Sequence, residues 1–169
     1  MTLDWKAVRH FAPEEWGHDP SRVAPELVLR LDAVREAAGV PLHVHVAFDR
    51  GGHSPASRHY ATAERPLADA VDFHFDGQAD LSPLEEFALL AGFGFGGMGY
   101  YPDWLPRPGW HVDLRPASPS LVWVRAGGAY RYGPRALAQA LAQGTALASA
   151  QAAAQVWVGQ PGAADGRRA

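Results

Sequence analysis

The chain holds eight histidines and eighteen carboxylates but no cysteine. Any transition metal would therefore have to be held by imidazole and carboxylate. The stretch SRHYATAERPLADAVDFHF (57–75) places His59 in a polar, aperiodic segment and Asp72 thirteen positions later in an apolar alternating run. Aspartate is a poor strand former, and a lone carboxylate on a half-buried sheet face is costly unless something pairs with it. A second alternating run, WHVDLR (110–115), carries His111 and Asp113. Alternation puts Val71, Phe73 and Phe75 on one face and Ala70, Asp72 and His74 on the other. In the same way Trp110, Val112 and Leu114 turn His111 and Asp113 to the opposite face. If the two strands are neighbours, Asp72 meets His111, and the SRH segment entering the first strand can bring His59 to them. Two imidazoles and a carboxylate with an open fourth position form a ligand set for catalytic zinc. Such an ion polarises carbonyls and lowers the pKa of its water from about 15.7 to about 7.

The remaining histidines ask for less. His43 and His45 alternate in LHVHV as solvent-facing strand residues and are the next ligand candidates if one of the three is misassigned. His10, His18 and His74 read as surface or supporting groups. The GFGFGG run follows a helical pattern, whereas a phosphate loop follows a strand and precedes a helix, so it is set aside.

These residues must be positioned by the elements around them. Val23, Leu27, Leu31 and Val34 stand at helical spacing and Gly39 closes the run, predicting a helix over about 21–38. Residues 42–48 alternate as a strand, 50–67 read as loop, and about 69–75 form the second strand. Ser82, Pro83 and Glu85 open a helix that runs to about Ala91 and stops at Gly92. The glycine- and proline-rich stretch 92–109 is expected as connection, followed by the 110–115 strand and a hairpin around Gly127-Gly128. An Ala/Gln/Leu-rich helix is expected over 134–158, interrupted at Gly144, and a disordered tail over 159–169. The order predicts one α+β domain over 1–158 with a mainly antiparallel central sheet. A net charge of −3 without a basic run argues against nucleic acid as a partner. The N-terminus lacks a signal-peptide pattern, and no apolar run approaches the ~20 residues of a membrane span. The expectation is a soluble monomer, cytoplasmic as synthesised.

Taken in order, Ser57-x-His59, Ala70-x-Asp72, GMGYYP and WHVDLR resemble the zinc D-Ala-D-Ala carboxypeptidase and murein endopeptidase superfamily, whose fold the hedgehog signalling domain shares. The likeness is nearest to its peptidoglycan endopeptidase and phage-type lytic branch, and HFAPEEW with the helix and strand that follow extends it over about 10–132. The resemblance implies a Zn2+ peptidase acting on peptidoglycan stem or cross-link peptides, with His59, Asp72 and His111 as ligands. It further implies that Ser57 supports the His59 loop and that Arg50 lies near the substrate. Many relatives carry an acid three residues before the last histidine; here that residue is Pro108, so Asp113 is the first candidate for the base and Asp103 the second, the alternative for Asp113 being a structural carboxylate that supports the ligand and pairs with Arg115. Tyr100 or Tyr101 could donate to an oxyanion, Tyr101 being the site residue carried forward. The His59–Asp72 separation is longer than the family's, as though residues 61–66 were inserted, and His53 stands where a small residue is usual.

Overall fold

The computed structural model of the protein describes residues 2–76 and 81–158; the tail expected to be disordered, 159–169, lies outside them. Three short 3-10 turns (Trp5–Ala7, Pro13–Trp16 and Pro20–Arg22) lead into helix α1, Pro25–Ala38. This helix begins later than the hydrophobic spacing suggests. Pro25 keeps the preceding residue out of the α region, and Ala24 is accordingly extended at φ −62°, ψ 124°. Gly39, left-handed at φ 66°, closes the helix by donating to the Arg35 and Glu36 carbonyls. Helix α2, Pro83–Gly92, opens with the expected capping box between Ser82 and Glu85.

Six strands follow the chain as β1 (Leu42–Val46), β2 (Ala70–Phe75), β3 (Gly97–Tyr101), β4 (Gly109–Asp113), β5 (Leu121–Ala126) and β6 (Ala129–Tyr132). They form one sheet in the order β1-β2-β4-β3-β5-β6. The sheet is mixed: β3 and β5 run parallel and the other neighbours antiparallel. With three α-helices this is an α+β domain, as the element order predicts. Strand β1 ends at Val46, short of the expected 48, and carries a register shift between Val44 and Val46.

Strand β3 corrects the sequence reading, which took 92–109 as connection throughout. Its glycines lower strand propensity, yet two of them leave room that the sheet's open face needs. A Cβ on Gly99 would come within 2.3 Å of the Trp123 ring, and one on Gly97 within 2.5 Å of the Asp113 carboxylate. Helix α3, Pro134–Val158, is a second correction, since it continues through Gly144. There the missing side chain admits the Tyr100 hydroxyl and Pro83, which would lie 2.9 Å and 3.0 Å from a Cβ.

The core lies between the helices and one sheet face. Leu27, Leu31, Leu90, Leu137 and Leu141 pack with Val71, Phe73, Tyr100, Trp110, Val112 and Val124. The other face is left for polar groups, and the register arranges them. Asp72 pairs with His111, His111 with Gly99, and Gly99 with Trp123, in one row across four strands.

Candidate metal centre

Antiparallel pairing makes Asp72 and His111 direct neighbours, and His111 Nδ1 stands 2.8 Å from Asp72 Oδ1. His59 arrives from the β1–β2 connection, which is pinned near both of its ends: Asp49 N donates to the His59 carbonyl, and Asp69 N to that of Arg58. His59 Nε2 then lies 3.2 Å from His111 Nδ1 and 3.3 Å from Asp72 Oδ1. All three residues are nearly inaccessible, at 2% for His59, 7% for His111 and 9% for Asp72. The three residues singled out from the sequence are thus brought to one point by three separate segments.

A fourth group joins them. His53, His59 and Asp72 each offer a donor atom within 4.8 Å of one another, a possible metal-binding triad. It shares the His59–Asp72 edge with His111, so the two triplets overlap. Sequence reasoning passed over His53 as a site residue. The available signal was its place four residues after Asp49 across a Gly-Gly pair, which suits a local carboxylate–imidazole contact.

The far nitrogen of each imidazole is occupied. His59 Nδ1 donates to the Ala47 carbonyl at 2.9 Å, His111 Nε2 to Asp113 Oδ2 at 3.1 Å, and His53 Nδ1 to Asp49 Oδ2 at 3.0 Å. With those protons placed, the lone pairs of His59 Nε2 and His111 Nδ1 face the cluster. That is how metal-binding histidines are commonly oriented by their outer partners. Ligands at about 2.0–2.1 Å from a tetrahedral ion lie roughly 3.4 Å apart. The donor separations here are 2.8–3.3 Å, so a small outward adjustment fits the cluster to such an ion.

Electrostatics explain how the cluster holds together without an ion. Burial alone would lower the pKa of His111, but hydrogen bonds to Asp113 and Asp72 and their charges outweigh it and push it up to about 9. Burial would raise Asp72, yet hydrogen bonds from His111 and His59 hold its carboxyl well below the usual range. A metal ion at His111 Nδ1 would displace the proton that this raised pKa favours there.

Asp113, the expected proton acceptor, lies behind His111. It is fully buried. Arg115 N and Nε donate to Oδ1 at 3.0 and 2.8 Å, while Oδ2 accepts from His111 and from the Arg115 guanidinium. Neither oxygen reaches the surface, and the carboxylate orients the His111 ring. Asp103, the second candidate, accepts from Gly127 N at 2.7 Å and so ties the β3–β4 connection to the β5–β6 turn.

The other expected residues are placed as follows. Ser57 Oγ accepts from His59 N at 3.3 Å, beneath the ligand loop. Arg50 is exposed, with its guanidinium 5.7 Å from the centre of the Phe48 ring. The Tyr101 ring stacks on Trp104 at 4.3 Å on the open side of the sheet, and burial followed by the charge of Asp72 raises its pKa. Tyr100 belongs to the core, its ring 4.8 Å from that of Trp110.

Of the two roles expected of His74, surface or supporting, the surface one does not hold. The residue is buried, and its Nδ1 lies 2.7 Å from Nε2 of the exposed His45, with His43 also against it. Burial lowers the pKa of both His45 and His74, followed by repulsion from His43 for His45 and from His45 and His43 for His74. The segment 61–66 is also more than a surface insertion. Arg65 reaches back to the main-chain carbonyls of Ser57 and Tyr60, on either side of His59.

Compared with protein-family models, with curated proteins and with solved structures, the chain matches none. The geometry of the site and the residues themselves therefore carry the functional reading.

Proposed function

We propose that this protein is a zinc-dependent peptidase hydrolysing peptidoglycan stem or cross-link peptides, as a D,D-carboxypeptidase or endopeptidase of the hedgehog-like fold. The observation that carries the proposal is the meeting of His59, Asp72 and His111 at 2.8–3.3 Å with the outer nitrogen of each imidazole already committed. The substrate class rests on the motif order described above. No helix among the described residues is long and apolar enough to cross a membrane.

His59, Asp72 and His111 would hold the ion. When bound, zinc supplies a Lewis acid and activates water near neutral pH. The chain's own residues do the rest. Asp113 and Arg115 fix the His111 ring from behind, and the Ala47 carbonyl fixes His59. Ser57 and Arg65 hold the main chain on which His59 rides. Tyr101 and Trp104 form an aromatic wall beside Asp72, with Leu105 at the mouth of a recess that His45 also lines. Arg50, exposed at the start of the ligand loop, is free to bind a substrate carboxylate.

A second reading, a non-catalytic zinc-stabilised module, is favoured by two observations. Asp113 has no oxygen open to a substrate, and His53 stands beside the three donors. Digestion of purified peptidoglycan by the zinc-loaded protein, followed by mass spectrometry of the fragments, separates the two. The peptidase releases D-alanine or cleaves cross-links, whereas the module leaves the peptides intact.

A further inference from the structure

We propose that His53 is a fourth protein ligand, closing the metal centre until it withdraws. The proposal rests on the metal-centre reading above and does not require peptidase activity. His111 already meets the shared His59–Asp72 edge at 2.8–3.2 Å, and His53 offers a donor atom within 4.8 Å of that edge, so a small movement of its loop would bring it to an ion there.

The orientation of His53 is that of a ligand. Its Nδ1 donates to Asp49 Oδ2, and the Asp49 carboxylate is itself held by Gly51 N at 2.7 Å and Gly52 N at 2.8 Å. Nε2 is thereby left with its lone pair, as in His59. A solvated histidine has no need of such bracing. Two imidazoles on one tetrahedral ion place their ring centres roughly 5 Å apart, given Zn–N bonds of about 2.0–2.1 Å. The His59 and His111 centres are 5.0 Å apart with the rings at 76°, and those of His53 and His59 are 4.6 Å apart with the rings stacked at 28°, so His53 would turn on its loop to aim Nε2 at the shared edge.

A consequence for the site follows. Structural zinc centres have four protein ligands, whereas catalytic ones keep a position open. Asp72 and His111 are locked in strands and His59 is almost fully buried. The His53 side chain is 29% exposed and stands on a loop with two glycines before it. It is the donor that can leave. A substrate carbonyl or an inhibitory anion would reach the ion in exchange for His53.

X-ray absorption on the zinc-loaded full chain tests this by counting imidazoles, with zinc affinity measured by chelator competition alongside. We expect three imidazoles in the wild type and two in His53→Ala. The affinity loss in His53→Ala should exceed that in Asp49→Ala, which removes only an outer partner and should cost about 10–100-fold. Two imidazoles in the wild type, or unchanged affinity in His53→Ala, would overturn the proposal. His59→Ala serves as the control: zinc retained there would remove the whole centre. Zinc lost there, with His53→Ala indifferent, would remove the fourth ligand alone.

Discussion

The two faces of the sheet are built from the same strands and obey opposite rules. On the helix-covered face, Val71, Phe73, Trp110 and Val112 are held by apolar packing, which any side chain of similar shape and volume can largely satisfy. On the open face, Asp72, His111 and Asp113 are buried polar groups, and each needs a specific partner at hydrogen-bond distance. Packing tolerates substitution by degrees. A polar cluster of this kind fails when one member is removed, because the others are left buried and unpaired. The covered face should therefore report on stability, and the open face on metal binding.

The largest expected effect is on the open face. His59→Ala or His111→Ala should abolish stoichiometric zinc, read by elemental analysis, while the circular dichroism spectrum stays that of the wild type. Full occupancy in both variants would end the assignment, and His43 with His45 would be examined next. Removing the partner behind a ligand should do less. Asp113→Asn frees one of the two anchors of His111, and we expect zinc affinity to fall by about 10–100-fold, with turnover restored at excess metal. Turnover that stays low at saturating zinc would instead return Asp113 to the role of proton acceptor.

Arg65→Ala probes the loop rather than the strands. It removes the contacts to the Ser57 and Tyr60 carbonyls and should weaken zinc by a smaller factor than Asp113→Asn, with the thermal midpoint little changed. Equal zinc affinity would show that residues 61–66 are peripheral to the ligand loop.

The covered face supplies the smallest effect, and one of opposite character. Burial raises the pKa of Glu86 to about 7, despite the hydrogen bond from Trp110 Nε1 at 2.7 Å. An unfolded glutamate titrates near 4.5, so the folded state holds the proton over a range where the unfolded state has lost it. Stability is then full below pH 4.5 and declines as pH rises toward 7. Asp72 and Asp113, both lowered by their hydrogen bonds against the effect of burial, carry the reverse sign: their contribution is lost as the medium turns acid. Glu86→Gln should flatten the decline between pH 5 and 7 in denaturant titrations and leave zinc affinity unchanged. A loss of zinc in this variant would mean that the two faces are coupled.

Much of this was legible from local pattern. The alternation in 69–75 and 110–115 assigned each side chain to a face, because strand geometry has period two and one face is apolar. The capping box at Ser82 and the hairpin at Gly127-Gly128 are equally local and stand where expected. Strand β3 was illegible for the opposite reason. Its glycines are chosen by Trp123 and Asp113, which lie on neighbouring strands, and no local rule turns glycine into a strand signal. Helix α1 starts late and α3 continues through Gly144 on similar grounds: a proline's effect on its neighbour in one case, close packing against Tyr100 and Pro83 in the other.

By itself the sequence determined that a metal here would be held by imidazole and carboxylate, and that Asp72, His111 and Asp113 would share the polar side of their strands. Those are matters of composition and periodicity. Tertiary structure decided that β2 and β4 are neighbours in the register that sets Asp72 against His111. It also decided that Asp113 faces the back of the imidazole with Arg115, and that His53 joins the cluster. Each depends on which distant segments meet. Contact across a sheet or between a loop and a strand is fixed by the packing of the whole chain, which spacing along the sequence does not encode.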